Sequence, residues 1–481
     1  MSPLFISLII VLYFSGLILI SYLTTRKLDS QSFYRGTKKS PWYVIAIGMI
    51  GTSISGVTFI SVPGWVLTKQ FGYLQMVLGF LLGYFVIANV LLPLYYRLNL
   101  TSIYTYLRDR LGYWSYKTGA SFFLISRTIG AAFRLYLVSM VLQTLVFEPL
   151  GVPFWATVTG TIGLIWLYTF KGGIKTIIWT DLIQTLAMLT TVVLSLFLIK
   201  DALHFSFGEM VDAIRSSAYS KVWFFDDVRS SSYFWKQFLA GAFTTIVMTG
   251  LDQDMMQKNL ACRNLKEAKK NMYTYGFMFL PINLMFLSLG ALLALFAVKN
   301  GIAIPEHTDK FFPMLATGGY FHPALGVIFI VGIIAAAYSS ADSALAALTT
   351  SFTIDILEAD KYEAAKTKRM RFKVHLGLSL VMILVILAFR LINNDAVISA
   401  LYTIAGYTYG PLLGLYAFGL FTKLGVRDRV VPFLALAAPA FSYVLSINSK
   451  SWFGGYEIGF ELLMINGLFM FLGMLAFSKR R

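Results

Sequence analysis

Thirteen runs of apolar residues, most long enough to cross a bilayer as a helix, occupy most of this 481-residue chain. They fall at approximately 4–23, 42–68, 72–96, 118–147, 153–170, 176–199, 234–257, 271–298, 324–350, 374–392, 396–421, 430–448 and 456–478. About 20 apolar residues span a hydrocarbon core, and a helix satisfies its own backbone hydrogen bonds there. Only 13% of the residues are charged, against roughly 25% in an ordinary soluble domain. The chain therefore reads as an all-α polytopic membrane protein of about 13 transmembrane helices, whose bulk partner is the lipid bilayer.

A net charge of +17 would suit a nucleic-acid partner, but its distribution explains it otherwise. With the loop after the first run taken as cytoplasmic, loops on that side carry 28 Lys and Arg residues and the opposite loops carry 10. Five of those ten sit in the 200–236 loop, balanced by Asp201, Glu209, Asp212, Asp226 and Asp227. This is the positive-inside bias, and it predicts a multi-pass protein of the cell membrane, N-terminus outside and C-terminus cytoplasmic. The first run is expected to stay as an anchor, because no basic residue precedes it and Arg26 and Lys27 follow it.

Chemistry of other kinds finds no support. The single Cys262 excludes an intrachain disulfide, and His204, His307, His322 and His375 are scattered. No glycine loop with a lysine, zinc spacing or Ser/His pair is present, so neither catalysis nor ATP-driven transport is expected. No soluble domain, nucleic-acid partner or obligate protein partner is evident either.

The second run is not a uniform span. Its centre, Gly51-Thr52-Ser53-Ile54-Ser55-Gly56-Val57-Thr58-Phe59, is rich in glycine and hydroxyls, which weaken a continuous helix. Unwound backbone at membrane depth is tolerated where it is buried in protein or lines a cavity. Opened carbonyls and serine hydroxyls are hard oxygen donors suited to a desolvated cation; the alternative is a close-packing face of small residues. Five runs (42–199) follow the anchor (4–23), five more (234–421) follow the long loop, and two (430–478) close a single transporter domain, 1–481. Two groups of five in series have opposite orientation, and such inverted repeats with discontinuous helices are typical of secondary transporters. The second group is expected to break near Ala240-Gly241-Ala242-Phe243-Thr244-Thr245.

The run 324–350 contains Ser339, Ser340, Asp342 and Ser343, with Ser339 and Ser343 one helical turn apart on one face. A carboxylate inside a span costs about 2.5–3.5 kcal/mol on insertion scales and faces the bundle interior or a pathway. Taken with Leu167-Tyr168-Thr169-Phe170-Lys171-Gly172-Gly173-Ile174, Trp179-Thr180-Asp181-Leu182-Ile183-Gln184 and Gly250-Leu251-Asp252-Gln253 with Gln257, the chain resembles the sodium:solute symporter family, whose fold is the LeuT-type inverted repeat of five plus five helices. The resemblance implies a Na⁺ site built from the carbonyls of Gly51, Ile54 and Ala336 and the hydroxyls of Ser339 and Ser340. Five neutral oxygens suit a monovalent ion better than calcium, whose sites recruit several carboxylates. Some relatives hold a second Na⁺, at positions that fall here on Asp181, Ser339, Asp342 and Ser343. Asp342 stands where those relatives have a hydroxyl, which leaves a second Na⁺, a proton or an internal pair as occupants; Asp181 also suits an ion pair near the cytoplasmic mouth.

Of 40 basic residues, 38 lie in loops or at run ends; Arg127 and Arg134 do not. Seven residues apart, they share a helix face. Arg127 is expected to pair with Asp181 or Asp342, and Arg134 to hold a carboxylate-bearing solute through a bidentate fork, unless both are structural. Ser53, Ser55 and Thr58 are expected to line the solute cavity, with Gln75, Phe243 and Thr244 as further candidates. Asp252 and Asp254, beside Lys258 and Arg263, read as a cytoplasmic gate or loop anchor. The expected function is Na⁺-coupled symport of a small polar solute, a carboxylate or sugar acid on the arginine argument, with proton coupling, a neutral sugar or an amino acid left open. An ion channel would show a continuous polar stripe along several helices, and a membrane-embedded sensor would carry an appended signalling domain.

Overall fold

The computed structural model describes residues 3–25, 40–392 and 397–480, without some side chains inside helices, those of residues 170–175 among them. Arg26 and Lys27 lie outside the described residues, as do most side chains of the Leu167–Ile174 motif. In chain order the main helices are α1 (Pro3–Thr25), α2 (Trp42–Ser53), α3 (Gly56–Lys69), α4 (Tyr73–Arg97), α5 (Tyr113–Phe147), α6 (Phe154–Ala202), α7 (Phe234–Thr245), α8 (Gln253–Asn259), α9 (Leu265–Lys299), α10 (Pro323–Ile356), α11 (Ala364–Ile392), α12 (Val397–Phe421), α13 (Val431–Trp452) and α14 (Leu462–Ala476). Among the described residues, seven helices have the length and hydropathy of a span, and α2 with α3 form one more, bent by 58°.

That bend is the break expected from the glycine- and serine-rich centre. Ile54 leaves the helical region (φ −81°, ψ 81°) and Ser55 is extended (φ −80°, ψ 175°). Helical bonding ends with Ile54 N–H on the Ile50 carbonyl at 2.8 Å and resumes with Phe59 N–H on the Ser55 carbonyl at 3.1 Å. The carbonyls of Gly51 to Ile54 fall in the interval, released from the helical ladder.

The 49 residues of α6 would measure about 74 Å as one straight helix, more than twice a hydrocarbon core. Its contacts show two passes in opposite directions. Lys117 at the start of α5 donates to the Asp355 carbonyl at the end of α10 (2.5 Å), so these ends share one membrane face. Thr169 meets His375 (3.3 Å), which meets Thr349 near that same end of α10 (2.8 Å). Thr157 donates to Gln143 at the far end of α5 (2.5 Å), and Thr191 donates to the Ile328 carbonyl at the start of α10 (3.0 Å). The chain therefore reverses between Thr169 and Thr191, and runs 153–170 and 176–199 are separate crossings. With the α7–α8 pair counted as one crossing, the described helices give five passes from α2 to α6 and five from α7 to α12. The first helix, α1, packs on α10 through Phe14 and Tyr338 (ring centroids 4.5 Å apart), and α13 and α14 follow the second group.

The second break lies elsewhere than expected. α7 is continuous through Ala240–Thr245, passes through a π-helical turn (Ile246–Gly250) and breaks at Leu251–Asp252. Gly241 serves close approach, not unwinding. A Cβ there would lie 2.1 Å from the Met76 carbonyl oxygen of α4, and one at Gly79 would lie 1.9 Å from that of Phe238. The new helix starts at Asp252, whose carboxylate accepts from the N–H groups of Asp254 (2.9 Å) and Met255 (3.4 Å), as an acidic N-cap does.

Candidate functional site

The broken end of α2 meets the second pass of α6 and the middle of α10 in a fully buried cluster of oxygens. Ser340 Oγ donates to the Thr52 carbonyl at 3.0 Å, and Ser339 Oγ donates to Asp181 Oδ1 at 2.7 Å. Thr52 Oγ1 approaches Asp181 Oδ2 at 3.2 Å. Gly51 is what lets the helices close up: a Cβ there would lie 2.0 Å from Thr185 Oγ1 and 3.3 Å from Ser339 Oγ. Gly51, Ser339 and Ser340 are thus brought together, with Ile54 and Ala336 buried on the same two segments. Thr185, not foreseen, joins them from α6; its spacing from Asp181, one helical turn, was the available signal.

Three of the four residues expected for a second cation, Asp181, Ser339 and Ser343, are brought together, with a cation from the chain itself beside them. Lys258 of α8 places Nζ 2.6 Å from Asp181 Oδ2 and 2.5 Å from Ser343 Oγ, and it also donates to Thr52 Oγ1. Its side chain is 1% exposed. Asp342 is buried on α10 with Oδ1 2.5 Å from the Ser343 backbone nitrogen. Placing Lys258 in a cytoplasmic loop was therefore wrong: the break at Leu251–Asp252 turns the last part of this crossing inward. The one hint was the Asp254/Lys258 spacing, a helical turn.

Arg127 does not pair with Asp181 or Asp342. It binds Asp254 through Nη2, and Nη1 lies 3.9 Å from Asp252 Oδ2, which accepts from the Tyr409 hydroxyl at 2.7 Å. Asp181 is committed to Lys258, and the same break carries Asp252 and Asp254 to the middle of α5. The two acids are buried, not a gate at the surface; Arg263 alone of that group is exposed and lies near Glu267. Asp254 Oδ1 stands 4.0 Å from Lys258 Nζ, so a line of alternating charge runs Arg127–Asp254–Lys258–Asp181.

Beside this line is a cavity of about 70 Å³. Ser53, Ser55, Thr58, Arg127, Arg134 and Thr244 line it as expected, joined by Tyr84, Thr245, Thr249, Tyr275 and Tyr402. Tyr275 is 2.5 Å from Ser53 Oγ and 3.0 Å from the Tyr84 hydroxyl. Arg134 is buried, its Nε lacks a hydrogen-bond partner, and its guanidinium makes no ion pair among the described residues. Two candidates lie elsewhere. Gln75 anchors the long loop, accepting from Phe224 N–H (3.1 Å) and donating to the Ser232 carbonyl (3.1 Å). Phe243 is half-buried off the cavity, because in an unbroken α7 Thr244 and Thr245 take the inward face. Tyr402 bonds the Tyr73 hydroxyl at 3.0 Å, and Tyr73 lines a separate cavity of about 280 Å³ beside Trp65 and Phe460.

The pattern of the sodium:solute symporter family matches residues 33–425. The chain belongs to this family. Sodium is its coupling ion and symport its mode of transport. The sodium/sialic acid symporter NanT of Aliivibrio fischeri is 24% identical over 469 residues, 93% of this chain and 88% of that one. The sodium-dependent multivitamin transporter of Oryctolagus cuniculus is 27% identical over 391 residues, 78% of this chain; the match spans 59% of that protein's length. The solved outward-open, substrate-bound structure of a Na⁺-coupled sialic acid symporter superposes with a TM-score of 0.81 over 99% of both chains, at 20% identity. That likeness gives the fold, the LeuT-type five-plus-five arrangement.

Proposed function

We propose that this symporter carries Na⁺ inward with a small anionic solute, a carboxylate or sugar acid, by alternating access, and that it has no enzymatic activity. Arg134 carries the solute reading. A buried guanidinium without a counter-ion among the described residues, in a cavity whose wall also carries serine, threonine and tyrosine hydroxyls, Arg127 and apolar side chains, suits a carboxylate that accepts its forked N–H groups. The sialic acid relative, whose solute is a sugar acid, supports the same class. The Na⁺ reading rests on the released carbonyls of Gly51 and Ile54, the Ala336 carbonyl, and the hydroxyls of Ser339 and Ser340.

The repeats are taken as 42–199 and 234–421, the anchor as 4–23 and the closing pair as 430–478. The basic loops favour an outside N-terminus and a cytoplasmic C-terminus. Each Na⁺ moving inward gains about 2.3 kcal/mol per 100 mV. Cation binding drives uptake only by favouring the conformation that accepts solute. The test is uptake into proteoliposomes of sialic acid, short monocarboxylates and uncharged sugars, with and without a Na⁺ gradient, for the wild type and Arg134→Ala. Sodium-driven uptake of an acid that Arg134→Ala loses is expected. Uptake indifferent to Na⁺, or a preference for uncharged sugars untouched by Arg134→Ala, would overturn the reading.

A further inference from the structure

We infer that Lys258 is a built-in cation: its ammonium fills the second cation cluster, so the protein binds and moves one Na⁺ per cycle. The inference rests on the Na⁺ reading above and deepens it. An ammonium has three N–H donors, and Lys258 Nζ finds three oxygens, Asp181 Oδ2 at 2.6 Å, Ser343 Oγ at 2.5 Å and Thr52 Oγ1. Its full donor capacity is spent inside the cluster, with the side chain 1% exposed and Asp181 fully buried. Asp181 and Ser343 are two of the four residues expected to hold a second ion. A Na⁺ would have to share Asp181 and Ser343 with a like charge at contact distance, in a buried site where such repulsion is weakly screened.

The tethered charge also shapes the neighbouring site. Asp181 holds Lys258 with one oxygen and Ser339 with the other. Ser339 is thereby oriented toward the cluster at Gly51, and the same Lys258 stands 4.0 Å from Asp254, the partner of Arg127 at the solute cavity. A mobile second ion would leave this line at every turnover; Lys258 stays.

The test counts ions. Equilibrium binding of ²²Na⁺ to the purified full-length protein in detergent is expected to saturate at one ion per chain. Lys258→Ala empties the cluster while keeping Asp181 and the hydroxyls, and is expected to bind two. Lys258→Ser, which adds an oxygen, is a second route to the same doubling, and Lys258→Arg is expected to stay at one. Two ions in the wild type would overturn the inference while leaving the symport reading intact, and that measurement needs no variant to fold. One ion in a folded Lys258→Ala would also overturn it. Absence of any Na⁺ binding in the wild type would remove the reading beneath both.

Discussion

The Ser340 hydroxyl donates a 3.0 Å hydrogen bond to the carbonyl of Thr52, joining α10 to the open end of α2 across 288 residues of chain. Hydrogen bonds involving a charged group contribute about 1.5–3 kcal/mol, and a decade in affinity is about 1.4 kcal/mol. Ser340→Ala is therefore expected to raise the Na⁺ concentration for half-maximal uptake by roughly ten- to a hundredfold. A Na⁺ titration of uptake checks this; an unchanged midpoint would remove the hydroxyl from the site.

Arg134→Lys separates charge from geometry. A lysine keeps the positive charge but cannot form the planar fork. Uptake of the acidic solute is expected to persist, with KM raised about tenfold by loss of one charge-assisted hydrogen bond. Competition by uncharged analogues should not change. Equal KM values for Lys and Arg would argue that only net charge matters at this position.

Breaking the Arg127–Asp254 pair strands a buried charge. Removing one partner of a buried pair is destabilising by about 3–5 kcal/mol, so Asp254→Ala is expected to lower the thermal midpoint sharply. Replacing Arg127 with Met and Asp254 with Leu together should restore much of it while leaving Arg134 in the cavity. Melting curves of the single and double variants in detergent give the answer. A double variant no better than Asp254→Ala would show that the pair's surroundings, Asp252 and Tyr409 included, require the charge.

Gly51→Ala would drive a methyl into Thr185, 2.0 Å from Oγ1. Overpacking of this kind destabilises by about 1–3 kcal/mol. The expected result is a lower melting temperature and weakened Na⁺ dependence, with partial recovery of both in Gly51→Ala/Thr185→Ala. If the second change recovers stability but not the Na⁺ midpoint, Thr185 itself belongs to the ion site.

Outside the membrane, Glu358 forms a latch at the foot of α10. Its carboxylate lies 2.7 Å from Lys117 of α5 and also pairs with Lys361, and these lysines hold its pKa well below 4.5, at about 2. A depressed carboxylate contributes stability that is present above its unfolded value and lost as pH falls through its folded value. The latch should therefore weaken between about pH 4.5 and pH 2 and be indifferent to pH near neutrality. Thermal midpoints of the wild type and Glu358→Gln should differ at pH 6 and converge near pH 2. A constant difference across that range would assign the effect of Glu358 to packing.

Much of this was legible in the residues. Helix number follows from run length, and the broken span follows from glycine and serine at one place in a long apolar run. The cluster of Gly51, Ser339 and Ser340 follows because small residues and hydroxyls at membrane depth have few other uses. Partner choice was not legible. Arg127 could reach several acids by helix geometry, and what selects Asp254 is where α7 ends. That point is set by the π-helical turn and the Asp252 cap, which have no apolar periodicity to announce them. Lys258 was hidden for the same reason, since a lysine at the end of an apolar run looks like a loop residue until the helix beneath it turns inward. Gln75 and Phe243 lie off the 70 Å³ cavity, Gln75 lining the 280 Å³ one instead, because position along a helix does not tell which face meets which cavity.

The backbone-to-backbone contact of α4 with α7, where Gly79 and Gly241 leave no space for a methyl group, limits how the protein can move. Two rods in such contact cannot slide or twist past each other without collision, so they travel as a single lever. Widening of the solute chamber must then come from surfaces that can part and rejoin, such as the bonded tyrosine pair at 73 and 402, while the glycine seam stays shut throughout the cycle.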